Sequence, residues 1–529
     1  MPADTLREIQ KRTLVRFRHL RRGSLDDWIN SAPAVQQADI ANQAIPGFNG
    51  GVSAWRLLPQ RDHKVILPGP APYFRPHEDA GEYADIDEAP VNDMRHDAHD
   101  EAWELAKEVR GKFKFKKVLG WGGQGIAAVF QQTHGNATGR DFVIKCAFSG
   151  PNRQPVRIAG KPPFEYTIER EKKVTKVFRG AKHIVQLHDG GLTRRPERRV
   201  MIMEFCPKGS MHKLLKSVSA RDPRRTLRNR ALWIIFDCLF QMVVALRYPP
   251  QHWSDYDANQ VVEERIPRRV DRVQPPPGDN RPWYSGGDED WVHFDISPQN
   301  VFIHEYEGTW QQFPQRRHSL LPLFKLGDFG LCENVKSRDF QRSKKRWKSR
   351  EYGKPDWLTP EQFSSEWDYI SGNPLAEANP VTSVAAQYDW KTNLYGIAMI
   401  MWSLISLLAP PDGPIPRMVG IGDAQPAWTF GAYLLSNPAD HELNANLQNV
   451  SLRLRQLIVK CMMNDPDDRP EMGTIRRIID EELNRNWQGG DSDRQTRVGT
   501  VHSFFRTYTI PNHPPHRLQQ WFDGLVNMP

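Results

Sequence analysis

A glycine-rich turn between strand-like stretches opens the patterned part of the chain. From Phe113 to Leu119, hydrophobic residues alternate with lysines, as they do on a half-buried strand. The turn is Gly120-Trp-Gly-Gly-Gln-Gly125, and the strand pattern resumes at Ile126–Phe130 and again at Phe142–Lys145. Because strand-like rather than helical residues follow the glycines, the pattern favours a glycine-tipped hairpin over a dinucleotide-binding turn.

Three longer stretches have helical character. Residues 165–178 place Val174, Val177 and Phe178 on one side, and residues 231–247 are predicted to form a buried helix. The longest apolar run, residues 393–408, is a little short for a bilayer and contains Asn and Ser. We therefore predict a third buried helix there and no membrane span.

Polar residues that suggest chemistry lie on two turns. Asp295 and Asn300 share one turn, and the apolar residues 301–303 lead away from it as a short strand. A second acid, Asp328, lies between two glycines in Lys325-Leu-Gly-Asp-Phe-Gly330. Each feature alone is weak, because an Asp in a turn is more often a turn former than a catalyst. Together, two carboxylates and an amide suit a hard cation that carries a phosphate.

Composition narrows the class of protein. The chain has 529 residues, of which 26% are charged and 39% hydrophobic, enough for a large core and more than one domain. The net charge of +9 fits an acidic partner such as phosphate, and nucleic acid is not expected as a partner. The five cysteines form no Cys-x-x-Cys motif, and the chain starts without a signal-peptide pattern. We therefore expect an intracellular protein, cytoplasmic and/or nuclear.

We expect three regions along the chain: a partly disordered N-terminal extension, a main domain and a polar tail without an assigned role, at residues 1–108, 109–485 and 486–529. In the extension, the basic residues 11–22 are predicted to form a solvated helix face, and residues 68–100 a linker. Within the main domain, Pro-rich and charged residues at about 248–290 predict a surface insertion. A further insertion is predicted at about 305–319.

The order of the motifs over roughly residues 113–485 resembles that of the eukaryotic protein kinases, in a style similar to divergent kinases of filamentous fungi. The motifs that carry the resemblance are, in chain order, the glycine turn, Phe142-Val-Ile-Lys145, the hinge-like Val200–Ser210, His293-Phe-Asp-Ile-Ser-Pro-Gln-Asn300, Asp328-Phe-Gly330, Thr359-Pro-Glu361 and the late Asp-Arg469. The resemblance implies an α+β, bilobal kinase-like fold with a small β-rich N-lobe and a larger helical C-lobe. It also implies that Arg469 pairs with Glu361.

The implied activity is ATP-dependent transfer of a phosphoryl group to serine or threonine hydroxyls of a protein substrate. Asp295 would accept or orient the hydroxyl proton of the substrate. Lys145 would grip the α- and β-phosphates and would be fixed by a glutamate of the following helix. Glu171 matches that glutamate best, and Glu169 is a close rival.

The resemblance implies ATP and Mg²⁺ as cofactors, with Asn300 and Asp328 as the metal ligands. Glycines in the turn would let backbone amides approach the phosphates without a side chain in the way. The residues expected around the nucleotide are Gly120, Gly122, Gly125, Ala127, Val143, Lys145, Met203, Glu204, Cys206 and Phe302.

The chain departs from the kinase pattern at several positions. Phe294 replaces the catalytic-loop arginine that often meets a phosphate, so we expect activity without activation-loop phosphorylation. Ser297 replaces the lysine that usually touches the γ-phosphate, and Lys354 replaces a threonine near the catalytic aspartate. One hypothesis makes Lys354 the substitute cation and a catalytic residue, and the alternative is a solvated loop lysine. Asn393 replaces a supporting aspartate, and its amide can still make one or two of the hydrogen bonds.

Two other functions stay open. A pseudokinase scaffold that binds nucleotide without efficient catalysis gains from Phe294, Ser297 and Asn393. A small-molecule phosphotransferase uses a similar catalytic loop, but Glu361 with Arg469 is typical of protein-substrate kinases. Eight basic residues in the activation segment suit an acidic protein substrate, or are simply solvated. They are Lys336, Arg338, Arg342, Lys344, Lys345, Arg346, Lys348 and Arg350.

Overall fold

The structure is a computed structural model of the 529-residue chain. The residues that it describes are 105–106, 109, 111–122, 125–135, 137–147, 164–188, 200–221, 227, 229–267, 284–286, 289–307, 318, 321–342, 345–364, 383–408, 410, 416–421, 425–436, 447–484 and 504–505. The predictions for residues 11–22 and 68–100 lie outside the described residues.

Four antiparallel strands form the main sheet in the order β1-β2-β3-β4, and they are β1 (Phe113–Gly122), β2 (Gly125–Gln132), β3 (Asp141–Ala147) and β4 (Val200–Glu204). The β1–β2 pairing runs to the last pair, Gly122 with Gly125, which confirms the predicted glycine-tipped hairpin. Alternate side chains of the sheet pack on one hydrophobic cluster, among them Phe130, Ile144 and Cys146.

Three two-stranded sheets, nine α-helices and six short 3-10 helices make up the rest of the described elements. The short sheets are β5 (Trp291–Val292) with β8 (Glu333–Asn334), β6 (Val301–Ile303) with β7 (Phe324–Leu326), and β9 (Arg417–Val419) with β10 (Ala427–Thr429). The helices are α1 (Phe164–Val177), α2 (Met211–Arg221), α3 (Asn229–Arg247), α4 (Arg338–Arg342), α5 (Lys345–Lys348), α6 (Pro360–Phe363), α7 (Trp390–Ser406), α8 (Leu452–Cys461) and α9 (Met472–Asn484).

Helices α3 and α7 form the centre of the larger hydrophobic cluster, as the sequence predicted. Every residue of α7 is buried. This helix begins at Asp389, whose side chain accepts from the Lys391 N–H, and it ends where Leu407 turns left-handed with φ 57°. Among the described helices, α3 is the one long and apolar enough to cross a bilayer, and 89% of its apolar stretch is buried inside the protein.

The result is a mixed α/β architecture with a small antiparallel sheet and several helices, which is consistent with a kinase-like fold. The sheet and the central helices have separate hydrophobic clusters. The expected division into two lobes stays a prediction.

Parts of the predicted insertion at 248–290 and of the predicted tail at 486–529 pack against the rest of the protein. In the insertion predicted at 248–290, the Val262 N–H donates to Gly180 O over 2.8 Å, and the Glu264 side chain is 1% exposed. The prediction of a surface insertion therefore does not hold at Glu264, because this residue pairs with a buried histidine. In the predicted tail, Phe504 and Phe505 are buried in the larger cluster.

Candidate active site

The turn that carries Asp295 and Asn300 lies between β5 and β6. Asn300 Nδ2 donates to Asp295 O and to Asp295 Oδ2, each over 2.8 Å, which orients both side chains. Asn393 of α7 supports the start of the turn: its Oδ1 accepts from the His293 N–H at 3.0 Å, and its Nδ2 donates to Trp291 O at 2.7 Å. The prediction that this amide can keep two supporting hydrogen bonds is confirmed.

His293 connects this turn to the segment of Asp328. Its Nδ1 accepts from the Asp295 N–H at 3.2 Å, and its Nε2 lies 3.1 Å from Gly327 O. A ring that accepts at Nδ1 and donates at Nε2 is neutral. Burial lowers the pKa of His293, although Asp295 and Asp328 oppose that shift, so the neutral form fits the geometry.

Asp328 follows β7 in a left-handed conformation, with φ 62° and ψ 70°. The Gly327 N–H donates to Asn300 O over 3.0 Å, which brings the two predicted metal ligands to the same end of the β6–β7 pair. A Cβ on Gly327 would lie 2.9 Å from the Phe302 ring, so this position has no room for a side chain. Phe302 therefore packs directly beside the Asp328 segment.

Lys145 joins the sheet to helix α1 and to Asp328. Its Nζ lies 2.7 Å from Glu171 Oε2 and 3.2 Å from Asp328 Oδ1. The predicted ion pair with Glu171 is present, whereas the rival Glu169 pairs with Lys173 at 3.0 Å.

Charge and burial shift the pKa of each member of this group. Burial lowers the pKa of Lys145, but the carboxylates of Asp328 and Glu171 outweigh burial and leave it raised. Burial raises the pKa of Glu171 to about 7 against the charge of Lys145. The Lys145 charge holds the pKa of Asp328 below its ordinary value.

Arg170, next to Glu171, is a contributor that sequence reasoning missed. Its guanidinium donates to Gly330 O at 2.5 Å and to Cys332 O at 2.8 Å, and it lies 2.7 Å from Glu333 Oε1. These contacts fix α1 to the segment that follows Asp328. A basic residue beside the predicted glutamate was the available signal, but its distant carbonyl partners could not be found from spacing.

Lys354 lies at the predicted catalytic aspartate. Its Nζ is 3.0 Å from Asp295 Oδ1 and 2.8 Å from Oδ2. The preceding residue makes this possible: Gly353 has φ +92°, and a Cβ there would lie 2.2 Å from Phe294 O. Only glycine lets the two segments approach so closely. The placement disagrees with the alternative of a solvated loop lysine.

The residues predicted around the nucleotide line one part of the main sheet and its neighbours. Ala127 pairs with Lys145 across β2 and β3, and Val143 lies two residues before Lys145, so the three share a face. Ala128, Ile144 and Cys146 of the sheet cluster point to the opposite face. Met203 pairs with Val143 on β4. Further residues of the set follow the same elements: Gly120, Gly122 and Gly125 on the hairpin, Glu204 at the end of β4, and buried Cys206 just after it.

Phe294 occupies an apolar environment instead of a phosphate-binding one. Its ring centroid lies 5.0 Å from that of Tyr388, 5.8 Å from Tyr352 and 6.1 Å from Phe340. These residues belong to a third hydrophobic cluster under the segment that follows Asp328. The Ser297 side chain is fully buried, and its Oγ has no hydrogen-bond partner among the described residues. It therefore does not replace the missing lysine.

Glu361 and Arg469 form a buried bidentate pair, which confirms the predicted contact. Arg469 Nη1 lies 2.7 Å from Glu361 Oε1, and Arg469 Nη2 lies 3.1 Å from Glu361 Oε2. Both side chains are 0% exposed. Arg469 also donates to Lys391 O at 2.8 Å, and Thr392 Oγ1 donates to Glu361 Oε1 at 2.9 Å. The pair thus connects α6, α7 and the turn before α9.

Comparisons with known proteins add a distant structural likeness. No protein-family model and no curated protein matches the chain. Among solved structures, the chain is similar to one in the CAK complex of Chaetomium thermophilum bound to ATP-gamma-S, with 13% identity and a TM-score of 0.42. The match covers 75% of this chain and 96% of that chain. We therefore base the proposed function on the geometry of the site alone.

Proposed function

We propose that the chain is a protein serine/threonine kinase that transfers the γ-phosphoryl group of ATP to a protein hydroxyl. The observation that carries the proposal is the continuous set of contacts from Glu171 through Lys145 to Asp328, and through the backbone to Asn300 and Asp295. Phosphoryl transfer requires alignment and charge neutralisation more than covalent chemistry by the protein. One cation and four acids or amides that are held by packed elements supply this.

Each group has a role in the proposal. Lys145, held by Glu171, binds the phosphates of ATP, and Asp295 orients the attacking hydroxyl and accepts its proton. Lys354 lies where a second cation can stabilise charge that develops during transfer. The hairpin glycines, Ala127, Val143, Met203, Glu204, Cys206 and Phe302 enclose the nucleotide.

The residues present also fit Mg²⁺. The Asp328 side chain is 45% exposed, and Asn300 directs its Nδ2 toward Asp295, which leaves the amide oxygen on its other side. Carboxylate and amide oxygens are the ligands that this hard cation takes. When bound, Mg²⁺ neutralises charge on the phosphates. Asp328 and Asn300 would hold it.

A protein rather than a small molecule is the proposed substrate. The support is the buried Glu361–Arg469 pair, which fixes the Glu361 end of the segment that follows Asp328 against α7. A segment of that length, anchored at its end, offers a platform for an extended peptide. Its basic residues, such as the exposed Lys336, favour an acidic substrate.

We also propose that the main domain covers residues 109–485, in an intracellular protein.

The test is incubation of the purified chain with Mg²⁺ and ATP labelled at the γ-phosphate, with acidic and basic protein substrates. The proposal predicts label in protein, recovered as phosphoserine or phosphothreonine after hydrolysis. Label recovered only as phosphotyrosine, or only in an added small molecule, would reject the substrate assignment.

One observation favours a second function, a nucleotide-binding scaffold. The Lys354 ammonium contacts both oxygens of Asp295, the atoms that a substrate hydroxyl has to reach. A scaffold would bind ATP with Mg²⁺ and raise its melting temperature without transferring label. A kinase would transfer label, and Lys354→Ala would lower that transfer because it removes a needed cation; a scaffold would transfer none with either residue at position 354.

A further inference from the structure

Three buried side chains outside the active site converge in a way that the proposed phosphoryl transfer does not use. They are His183 after helix α1, Cys238 in the middle of α3, and His318 in the predicted insertion at 305–319, and they are 1%, 1% and 4% exposed. One potential ligand atom from each lies within 4.8 Å of the other two. The distance from Cys238 Sγ to His318 Nδ1 is 3.9 Å.

One ring nitrogen in this cluster is unpartnered. His183 Nε2 is buried and has no hydrogen-bond partner among the described residues. Buried polar atoms almost always have a partner, so this nitrogen requires an explanation. Cys238 Sγ and a ring nitrogen of His318 lie beside the His183 ring, with one ligand atom of each residue within 4.8 Å of the others.

Glu264 orients the His183 ring. Its Oε2 lies 2.6 Å from His183 Nδ1, and its Oε1 accepts from the His183 N–H at 2.7 Å. A carboxylate at Nδ1 retains the proton there and leaves the Nε2 lone pair available. The same arrangement orients metal-binding histidines in many proteins, where the carboxylate also makes the ligand more basic.

We propose that His183, Cys238 and His318 bind a structural Zn²⁺ ion, with Glu264 as the carboxylate that orients His183. Imidazole and thiolate are ligands that zinc prefers in a tetrahedral site. Ordinary Zn–S and Zn–N bond lengths with tetrahedral angles place sulfur and nitrogen about 3.6 Å apart. The observed 3.9 Å requires only a small side-chain adjustment.

Charge and the fourth position are also compatible with the ion. A Zn²⁺ ion with one thiolate and two neutral imidazoles carries one positive charge, which the buried Glu264 carboxylate balances. Lys182 forms ion pairs with Glu263 and Glu307, at 2.5 and 2.6 Å. Glu263 lies within 4.8 Å of a ring nitrogen of each histidine and is near enough to become the fourth ligand.

The ion would join four segments that are distant in sequence. It would connect both predicted insertions to the end of α1 and to the core helix α3. The Leu326 N–H donates to His183 O over 2.8 Å, two residues before Asp328. The bound ion would therefore hold His183 in place, and His183 lies just after the helix that carries Glu171 and is hydrogen-bonded to the strand that leads to Asp328.

The first test measures zinc in the purified full-length chain by mass spectrometry, under reducing conditions. About one zinc ion per chain is expected. Cys238→Ser and His318→Gln should lose the metal. Cys461→Ser is the matched control, because Cys461 is an equally buried thiol in α8 and should retain it. Equal zinc in the Cys238→Ser and Cys461→Ser proteins would overturn the proposal.

A second measurement uses the wild-type chain alone, so its result does not depend on whether the variants fold. The chain is stripped with a chelator and titrated with Co²⁺, which takes the place of zinc and absorbs light. A thiolate-to-cobalt charge-transfer band, tetrahedral visible bands and recovery of the melting temperature on adding Zn²⁺ but not Mg²⁺ are expected. Absence of the charge-transfer band in a folded wild-type chain would reject the site and leave a metal-free imidazole–carboxylate pair.

Discussion

The ammonium group of Lys354 lies 3.0 Å and 2.8 Å from the two carboxylate oxygens of Asp295. The Lys354 side chain is 30% exposed and that of Asp295 12% exposed, so the pair lies at the edge of the site and not in open solvent. Among the described residues, Lys354 is the cation that directly contacts the Asp295 carboxylate. The kinase proposal therefore assigns it a part in transfer.

Lys354→Met should lower kcat for phosphoryl transfer by about 10²- to 10³-fold, the usual cost of removing one group that stabilises transition-state charge. The affinity for ATP should change little, since Lys145 makes the predicted phosphate contacts. Lys173→Met is the control, because the Lys173 side chain is 74% exposed and forms a surface pair with Glu169. Turnover within twofold of wild type in Lys354→Met would remove the residue from the mechanism.

The aromatic contacts of Phe294 predict that activity is independent of phosphorylation in the neighbouring segment. Ser337→Glu and Tyr352→Glu should leave the specific transfer rate of the folded protein similar, because no arginine follows His293 to bind the new charge. A large rise in rate with either variant would contradict this.

Ser349 differs from Ser337 because its side chain is buried. It is fully buried, and its Oγ donates to Arg346 O over 2.8 Å. Ser349→Glu should therefore lower the melting temperature by burying a charge. Ser349→Ala should have a much smaller effect.

The neutral state of His293 predicts a dependence of stability on pH. Its pKa in the folded protein lies below the ordinary value of 6.5 because the ring is buried, so the unfolded chain binds more protons between those two pKa values. This contribution to the free energy of unfolding is present above pH 6.5 and is lost as the pH falls below that value. The charges that face the ring are Asp295 and Asp328, which oppose the shift, and Lys354, which adds to it.

Denaturant unfolding of wild type and His293→Gln across this pH range measures the effect. The stability difference between the two proteins should shrink as the pH falls. His134→Gln, at an exposed position, is the control and should keep the wild-type profile. A difference that stays constant with pH would show that His293 does not titrate in this way.

The Glu361–Arg469 pair predicts a large loss of stability when one partner is removed. Arg469→Met leaves the Glu361 carboxylate fully buried without its guanidinium, which costs about 3–5 kcal/mol. Thermal unfolding measures it. Arg477→Gln, which removes a surface pair with Glu481, should barely change the melting temperature. Similar shifts in the melting temperatures of the two variants would mean that the buried Glu361–Arg469 pair stabilises the protein no more than a surface pair does.

Local pattern was enough to predict the hairpin and the buried helices α3 and α7, whereas the contact of Lys145 with Glu171 was implied by the resemblance to the protein kinases. Strand alternation and long apolar runs are properties of neighbouring residues, and they do not depend on where the chain goes next. Glu171 was preferred over Glu169 only because it matched the kinase motif best, and the structure pairs Glu171 with Lys145 and Glu169 with Lys173.

Contacts between distant segments were beyond sequence reasoning. Arg170 binds carbonyl groups some 160 residues away, and such partners leave no spacing signal. The role of Glu264 depends on how a Pro-rich, charged stretch docks on the turn after α1. Phe294 was recognised as a departure, but its aromatic neighbours arise from three separate segments of the fold. The sequence could not decide whether Lys354 is a catalytic cation or a solvated loop lysine, because its position depends on the close approach of Gly353 to Phe294.

The most direct measurement is transfer of label from γ-labelled ATP by the wild-type chain and by Asp295→Asn, with Mg²⁺ present. The amide keeps the shape of the carboxylate and removes its ability to accept the hydroxyl proton. We predict transfer by the wild type, loss of at least about 10²-fold in the variant, and ATP binding by both. Equal transfer by the two proteins, or none by a wild-type chain that binds ATP with Mg²⁺, would contradict the proposed kinase.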